Sequence, residues 1–106
     1  MSQLPKPYQA FRIDFPSVYA VYEALGAAVS NAGPLDAKTR ELIKLGMATA
    51  SGSESGVESH THRALEAGAS EHEIEHAVML AINPLGFSRM MAALTWAKKA
   101  IANHKK

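Results

Sequence analysis

The residues of this chain best suited to moving protons are a carboxylate, Glu41, and an imidazole, His60. Between Glu54 and Gly68, the residues Val57, His60, Thr61, Ala64 and Leu65 recur at the spacing that lines one face of an α-helix, so His60 lies on an apolar stripe. An inward-facing imidazole needs a partner, because burying an unbonded polar group costs about 1–3 kcal/mol. Glu41, at the edge of the preceding helical segment, is the candidate. A carboxylate within hydrogen-bond reach fixes the tautomer of the ring and makes it a positioned base that can return the proton as an acid. Proton abstraction beside a carbonyl, isomerisation, or decarboxylation of a small lactone acid is chemistry that such a pair supports. The plainer reading is a satisfied polar contact in a helical core, without turnover.

Other motifs invite sharper chemistry and carry less of it. The stretch HEIEH, His72 to His76, matches H-E-x-x-H, in which two histidines one turn apart bind zinc and the glutamate is the base. No Asp or Glu follows His76, the later histidine is His104 at the chain's basic end, and Ser70 with Glu73 reads as a capping box that already uses the glutamate. No metal and no cofactor is expected. Ser53, Ser55 and Ser59 lie near His60, but Ser59 faces elsewhere and the others read as cap and loop residues, which argues against a Ser/His nucleophile. The chain has no cysteine, so disulfides, thiol catalysis and zinc–thiolate sites are excluded.

These side chains must be positioned by helices, since no segment alternates with period two. Residues 1–15, with Pro5 and Pro7, read as an extended N-terminal arm whose Phe11, Ile13 and Phe15 can tuck against something. Pro16 then opens a helix striped by Val18, Val21, Tyr22, Leu25, Ala28 and Val29 and stopped by NAGP at 31–34. Asp36 caps a second helix that runs to about Ala50, with Leu42, Ile43, Gly46, Met47 and Ala50 as its buried side. The window Ser51 to Gly56 holds two overlapping capping boxes, Ser51 with Glu54 and Ser55 with Glu58, and the third helix begins somewhere within it. That helix ends at Gly68. Ser70 opens a fourth, striped by Ile74, Ala77, Val78, Ala81 and Ile82 and broken by NPLG at 83–86. A fifth carries Phe87, Met90, Met91, Leu94, Ala97 and Ile101 inward, and residues 104–106 fray. The expected architecture is all-α: a single five-helix domain over residues 16–103.

Composition bounds the partners. A chain of 106 residues with 47% hydrophobic content has more apolar faces than one small core can cover, so a homo-oligomer is expected. Residues 54–76 carry six glutamates and one arginine, while 77–106 carry five Lys or Arg and no acid. That division suits neighbouring helices of opposite sign better than a nucleic-acid groove, and no nucleic-acid partner is expected. The N-terminal MSQLPKPYQAF lacks a signal-peptide pattern and no apolar run reaches the length of a membrane span, so no membrane association is expected and the default location is the cytoplasm.

The segments LDAKTRELIKLGMATA and HTHRALEAGASEHEIEHAVMLA resemble the core of the carboxymuconolactone decarboxylase family, which includes the AhpD-like alkylhydroperoxidases; the resemblance covers residues 16–103. In the thiol branch a glutamate, a Cys-x-x-Cys pair and a histidine recur at fixed offsets. Here Glu41 falls twelve residues before Ser53, Ser53 three before Gly56, and Gly56 four before His60. Ser53 and Gly56 therefore stand at the positions of the family's missing cysteines, and neither can form a thiolate. The resemblance implies Glu41 and His60 as catalytic residues, since the decarboxylase branch works without the cysteine pair and keeps a histidine at the position of His60. It also implies a ring-like assembly, a trimer or hexamer. Three functions stay open: a decarboxylase- or isomerase-type acid/base enzyme, an AhpD-like antioxidant protein related to peroxidases that has lost its thiols, and a non-catalytic oligomeric binding or scaffold protein.

Overall fold

The computed structural model describes residues 6–105, and among them there are seven helices and no strand. The backbone divides between Pro34 and Leu35 into two compact units. No helix is long and apolar enough to cross a membrane among the described residues.

The first unit holds α1 (Lys6–Asp14) and α2 (Pro16–Ser30). From Lys6 onward the expected extended arm is instead a helix; residues 1–5 lie outside the described residues. Pro7 is no obstacle, because it sits in the first turn, where a missing amide hydrogen breaks no helical bond. Phe11 adds a local reason for order, with its ring centroid 5.6 Å from that of Phe15 and 6.3 Å from that of Tyr19. Pro16 disfavours helical backbone at the residue before it, and Phe15, at φ −134°, separates the two helices. The stripe expected to be buried on α2 is exposed, with Val21 at 71%.

The second unit contains α3 (Ala37–Ser51), α4 (Glu54–Glu66), α5 (Glu71–Met79), α6 (Ile82–Leu85) and α7 (Phe87–His104). Together with α2, the helices α3, α4, α5 and α7 are the five expected from the pattern. α6 is an added turn inside the NPLG break; its proline is tolerated because the short helix has no interior. Caps set most of the boundaries. Asp36 accepts from the Thr39 amide at 2.8 Å, and Ser70 and Glu73 form a full capping box. Between α3 and α4 neither overlapping box is used: Ser53 is the N-cap, accepting from the Gly56 amide at 3.0 Å, while the Ser51 hydroxyl donates back to the Ala48 carbonyl.

The core of this unit joins Leu45, Val57, Ala64, Ile74, Val78, Met90, Ala93, Ala97 and Ile101. α4 and α5 bury the faces expected of them. α3 is rotated from expectation, and α7 departs from it only in part. On α3, Leu45, Ala48 and Thr49 are buried, whereas Ile43, Met47 and Ala50 are exposed and Gly46 has open space where a Cβ would stand. On α7, Met90, Ala97 and Ile101 are buried as expected, but Phe87 and Met91 face out while Ala93 and Ala100 are buried. Ala93, Ala97 and Ala100 let that face approach its neighbours closely between Met90 and Ile101. His104 is part of α7 rather than frayed, and Lys106 lies outside the described residues. The opposite charges of the two halves do meet: Lys99 lies 3.7 Å from Glu58 and Lys105 lies 2.8 Å from Glu71.

Candidate functional site

α3 and α4 form a tight hairpin in which Gly52 takes the left-handed conformation, φ 70°, that ends α3. A Cβ at that position would meet the Arg89 guanidinium at 2.7 Å. Arg89 reaches across from α7 and donates to the Ala50 carbonyl at 2.7 Å, satisfying an end-of-helix acceptor that has no partner within α3. The turn sets the two helices side by side and brings Glu41 of α3 to His60 of α4, with His60 Nδ1 2.8 Å from Glu41 Oε1. Both side chains are mostly covered, at 21% exposure for His60 and 16% for Glu41.

The environment favours the ionised form of the carboxylate. Burial of Glu41 opposes its ionisation, but the hydrogen bond with His60, the His60 charge and the positive charges of Arg63 and Lys44 outweigh it, and the carboxyl is held below its usual range. Because the folded-state value is depressed, the resulting stabilisation is present above the ordinary carboxylate range and is lost as the pH falls through the folded value. Ionised Glu41 is an acceptor, so Nδ1 of His60 donates the shared hydrogen, and in the neutral form of the ring Nε2 holds the lone pair. Nε2 makes no hydrogen bond with another described residue. Such a ring can take a proton from a bound molecule and give it back.

Lys44 and Arg63 could have been read from the sequence. Each stands three residues after a member of the pair, on the same side of its helix. The Arg89 brace joins residues 39 positions apart and carries no local signal.

The remaining candidates divide. Gly56 lies one turn and Ser53 two turns before His60 at the start of α4, and a Cβ built at Gly56 would be 3.2 Å from that of Ser53 and 3.1 Å from that of Ala48. Disulfides span about 3.5–4.5 Å between Cβ atoms, so a slight opening of the turn would accommodate one. A Ser53→Cys/Gly56→Cys double variant is expected to form an intramolecular disulfide on oxidation, read by thiol titration and intact mass. A folded variant that keeps two free thiols under oxidant would show that these positions are not paired as the family pattern implies. Ser55 is exposed on the first turn of α4 and Ser59 is half-buried; neither makes a hydrogen bond to His60. In HEIEH, His72 and His76 are exposed, and Glu73 is taken by the Ser70 amide and by Lys38 at 3.1 Å. Among the described residues no three His, Asp or Glu side chains are arranged to hold a metal ion.

An open groove of about 650 Å³ lies elsewhere in this unit, between α3, α5 and α6. Leu42, Ile43, Gly46, Ala77, Leu80 and Leu85 supply most of its apolar wall, with Thr39, Glu73 and His76 at polar positions. It includes neither Glu41 nor His60.

The chain has relatives of known family and fold. Residues 16–99 match the model of the carboxymuconolactone decarboxylase family. A curated protein of Haemophilus influenzae, described as uncharacterized, is 41% identical over 63 residues, which cover 59% of this chain and 56% of that protein's length. The chain thus spans little more than half of that relative. The crystal structure of an apo carboxymuconolactone decarboxylase family protein from Legionella pneumophila is similar with a TM-score of 0.79, covering 92% of this chain and 87% of that one at 23% identity, which is a likeness of fold. With the family pattern running from Pro16 into α7, the chain belongs to the carboxymuconolactone decarboxylase family.

Proposed function

We propose that this chain is a small-molecule acid/base enzyme of the decarboxylase or isomerase type, in which His60 transfers the proton and Glu41 orients it. The observation that supports this reading is the 2.8 Å bond between two mostly covered side chains, which leaves Nε2 of His60 as the base. The substrate class is a small anionic organic acid, for which Arg63 and Lys44 supply a positive field beside the pair. A panel of lactone acids and keto acids, assayed against a His60→Ala control, tests it. Turnover of no member above that control would sink the proposal.

Two other readings make different forecasts. As an AhpD-like antioxidant the chain would need thiols from another molecule, because it has none of its own. The metal-free protein alone is therefore expected to turn over no organic hydroperoxide. The groove between α3, α5 and α6 favours a non-catalytic binding or scaffold role, since it is apolar and lies apart from the Glu41/His60 pair.

The same proposal includes a homo-oligomer, a trimer or hexamer. Val18, Val21, Tyr22 and Leu25 on α2, Ile43 and Met47 on α3, and Phe87 on α7 are all exposed in the single chain, more apolar surface than a small monomer ordinarily leaves in water. Sedimentation at micromolar concentration is expected to show an assembly of three or six chains. A stable monomer would refute this part.

A further inference from the structure

α4 carries a second imidazole bond, directed away from the first. His62 stands two residues after His60, and its Nδ1 lies 3.0 Å from Nδ1 of His104 in the last turn of α7. The ring centroids are 5.1 Å apart and the planes tilt by 35°, so the rings meet nitrogen to nitrogen rather than face to face. A bond between two Nδ1 atoms needs one ring to donate and the other to accept with its lone pair. It exists only while at least one of the two rings is neutral. When both are charged, two N–H groups and two positive charges are forced together at the same place.

The surroundings can be named. Glu58 and Glu66 of α4 face His62 with negative charge, which favours taking up a proton. Glu58 is partly answered by Lys99 of α7 at 3.7 Å, and from α5 Glu71 pairs with Lys105, next to His104, at 2.8 Å. Among the described residues no third His, Asp or Glu completes a metal-binding set with the two rings, so the geometry favours a shared proton over a shared ion.

We propose that His62 and His104 form a pH-operated latch that ties the C-terminal turn of α7 to α4, closed while one ring is neutral and open when both are charged. Burial first, and then the neighbouring His104, hold the affinity of His62 for its proton below the usual histidine value. The sign follows. The fold prefers neutral His62, so the latch contributes its full stability above the ordinary histidine range, near pH 6.5, and loses it as the pH falls. The turn that it holds adjoins Ala100 and Ile101, which are 1% and 5% exposed, and Ile101 belongs to the core. Opening the latch would loosen the helix that packs on α4, the element that also carries His60.

Ring-proton NMR titration of the full chain, alongside His104→Gln and His62→Gln, tests this. In the wild type His62 is expected to titrate in two coupled steps, and in His104→Gln as a single site with its midpoint moved upward. Amides of residues 101–104, corrected for intrinsic exchange, are expected to lose protection between pH 7.5 and pH 5 in the wild type. Both glutamine variants, which keep a hydrogen-bonding side chain without the second charge, should flatten that dependence, whereas His72→Gln at an exposed histidine should leave it as it is. His62 titrating as a single site with the same midpoint in the wild type and in His104→Gln would overturn the proposal. So would protection of the last turn of α7 that is the same at both pH values.

Discussion

A His60→Ala variant is expected to lose all measurable turnover while keeping its helical content. In the proposed reaction the ring takes up and returns the proton, and no other described side chain is placed to act in its stead through the bond with Glu41. Truncation also leaves Glu41 mostly covered and without its partner, which costs about 1–3 kcal/mol of stability. His60→Gln separates the two effects, because an amide can still donate to Glu41 but does not shuttle a proton near neutral pH. A folded, inactive His60→Gln supports proton transfer; a fully active one refutes it. Glu41→Gln keeps an acceptor for Nδ1 and removes the charge, so the rate should fall without vanishing, by something on the order of the 10²- to 10⁴-fold that acid/base assistance contributes. An unchanged rate in that variant would reduce the contact to a structural one.

Leu45→Ala is expected to destabilise the protein by about 2–5 kcal/mol, the range for emptying a fully enclosed leucine site. Leu45 is wholly buried, one turn along α3 from Glu41, and the cavity would open beneath the helix that positions the carboxylate. Met47, two residues on, is 65% exposed in the single chain, and at concentrations where the chain is monomeric Met47→Ala should change the unfolding free energy by no more than about 0.5 kcal/mol. Urea denaturation followed by circular dichroism reads both, as a shift of midpoint at unchanged slope. Comparable costs at the two positions would mean that α3 turns a different face to the core.

That contrast marks where sequence reasoning stops. The apolar pattern of α3 is broad, and Ile43 and Met47 are as hydrophobic as Leu45, so periodicity locates the helix but leaves its rotation open by tens of degrees. α4 carries enough polar residues to narrow its stripe, and its phase was legible for that reason. The Glu41/His60 contact was legible too, because a short turn between two helices makes them neighbours and limits which residues can face each other. The N-terminal helix was missed because Pro5 and Pro7 look like breakers, although a proline in a first turn breaks nothing. The start of α4 was ambiguous among competing serines. The choice of Ser53 goes with a left-handed Gly52 and with the Arg89 side chain that arrives from the far end of the chain.

What the sequence by itself determined is what local chemistry controls: an all-helical chain, most helix ends through their capping side chains, and the absence of any thiol. These depend on bonds and propensities within a few residues of one another. Only the tertiary structure decided which face of α3 is buried, that the open groove does not include the Glu41/His60 pair, and that His62 meets His104 across 42 positions. Burial and pairing of this kind depend on which surfaces distant helices bring together. A helical pattern says that a face must be covered, and its neighbours in space decide which one is.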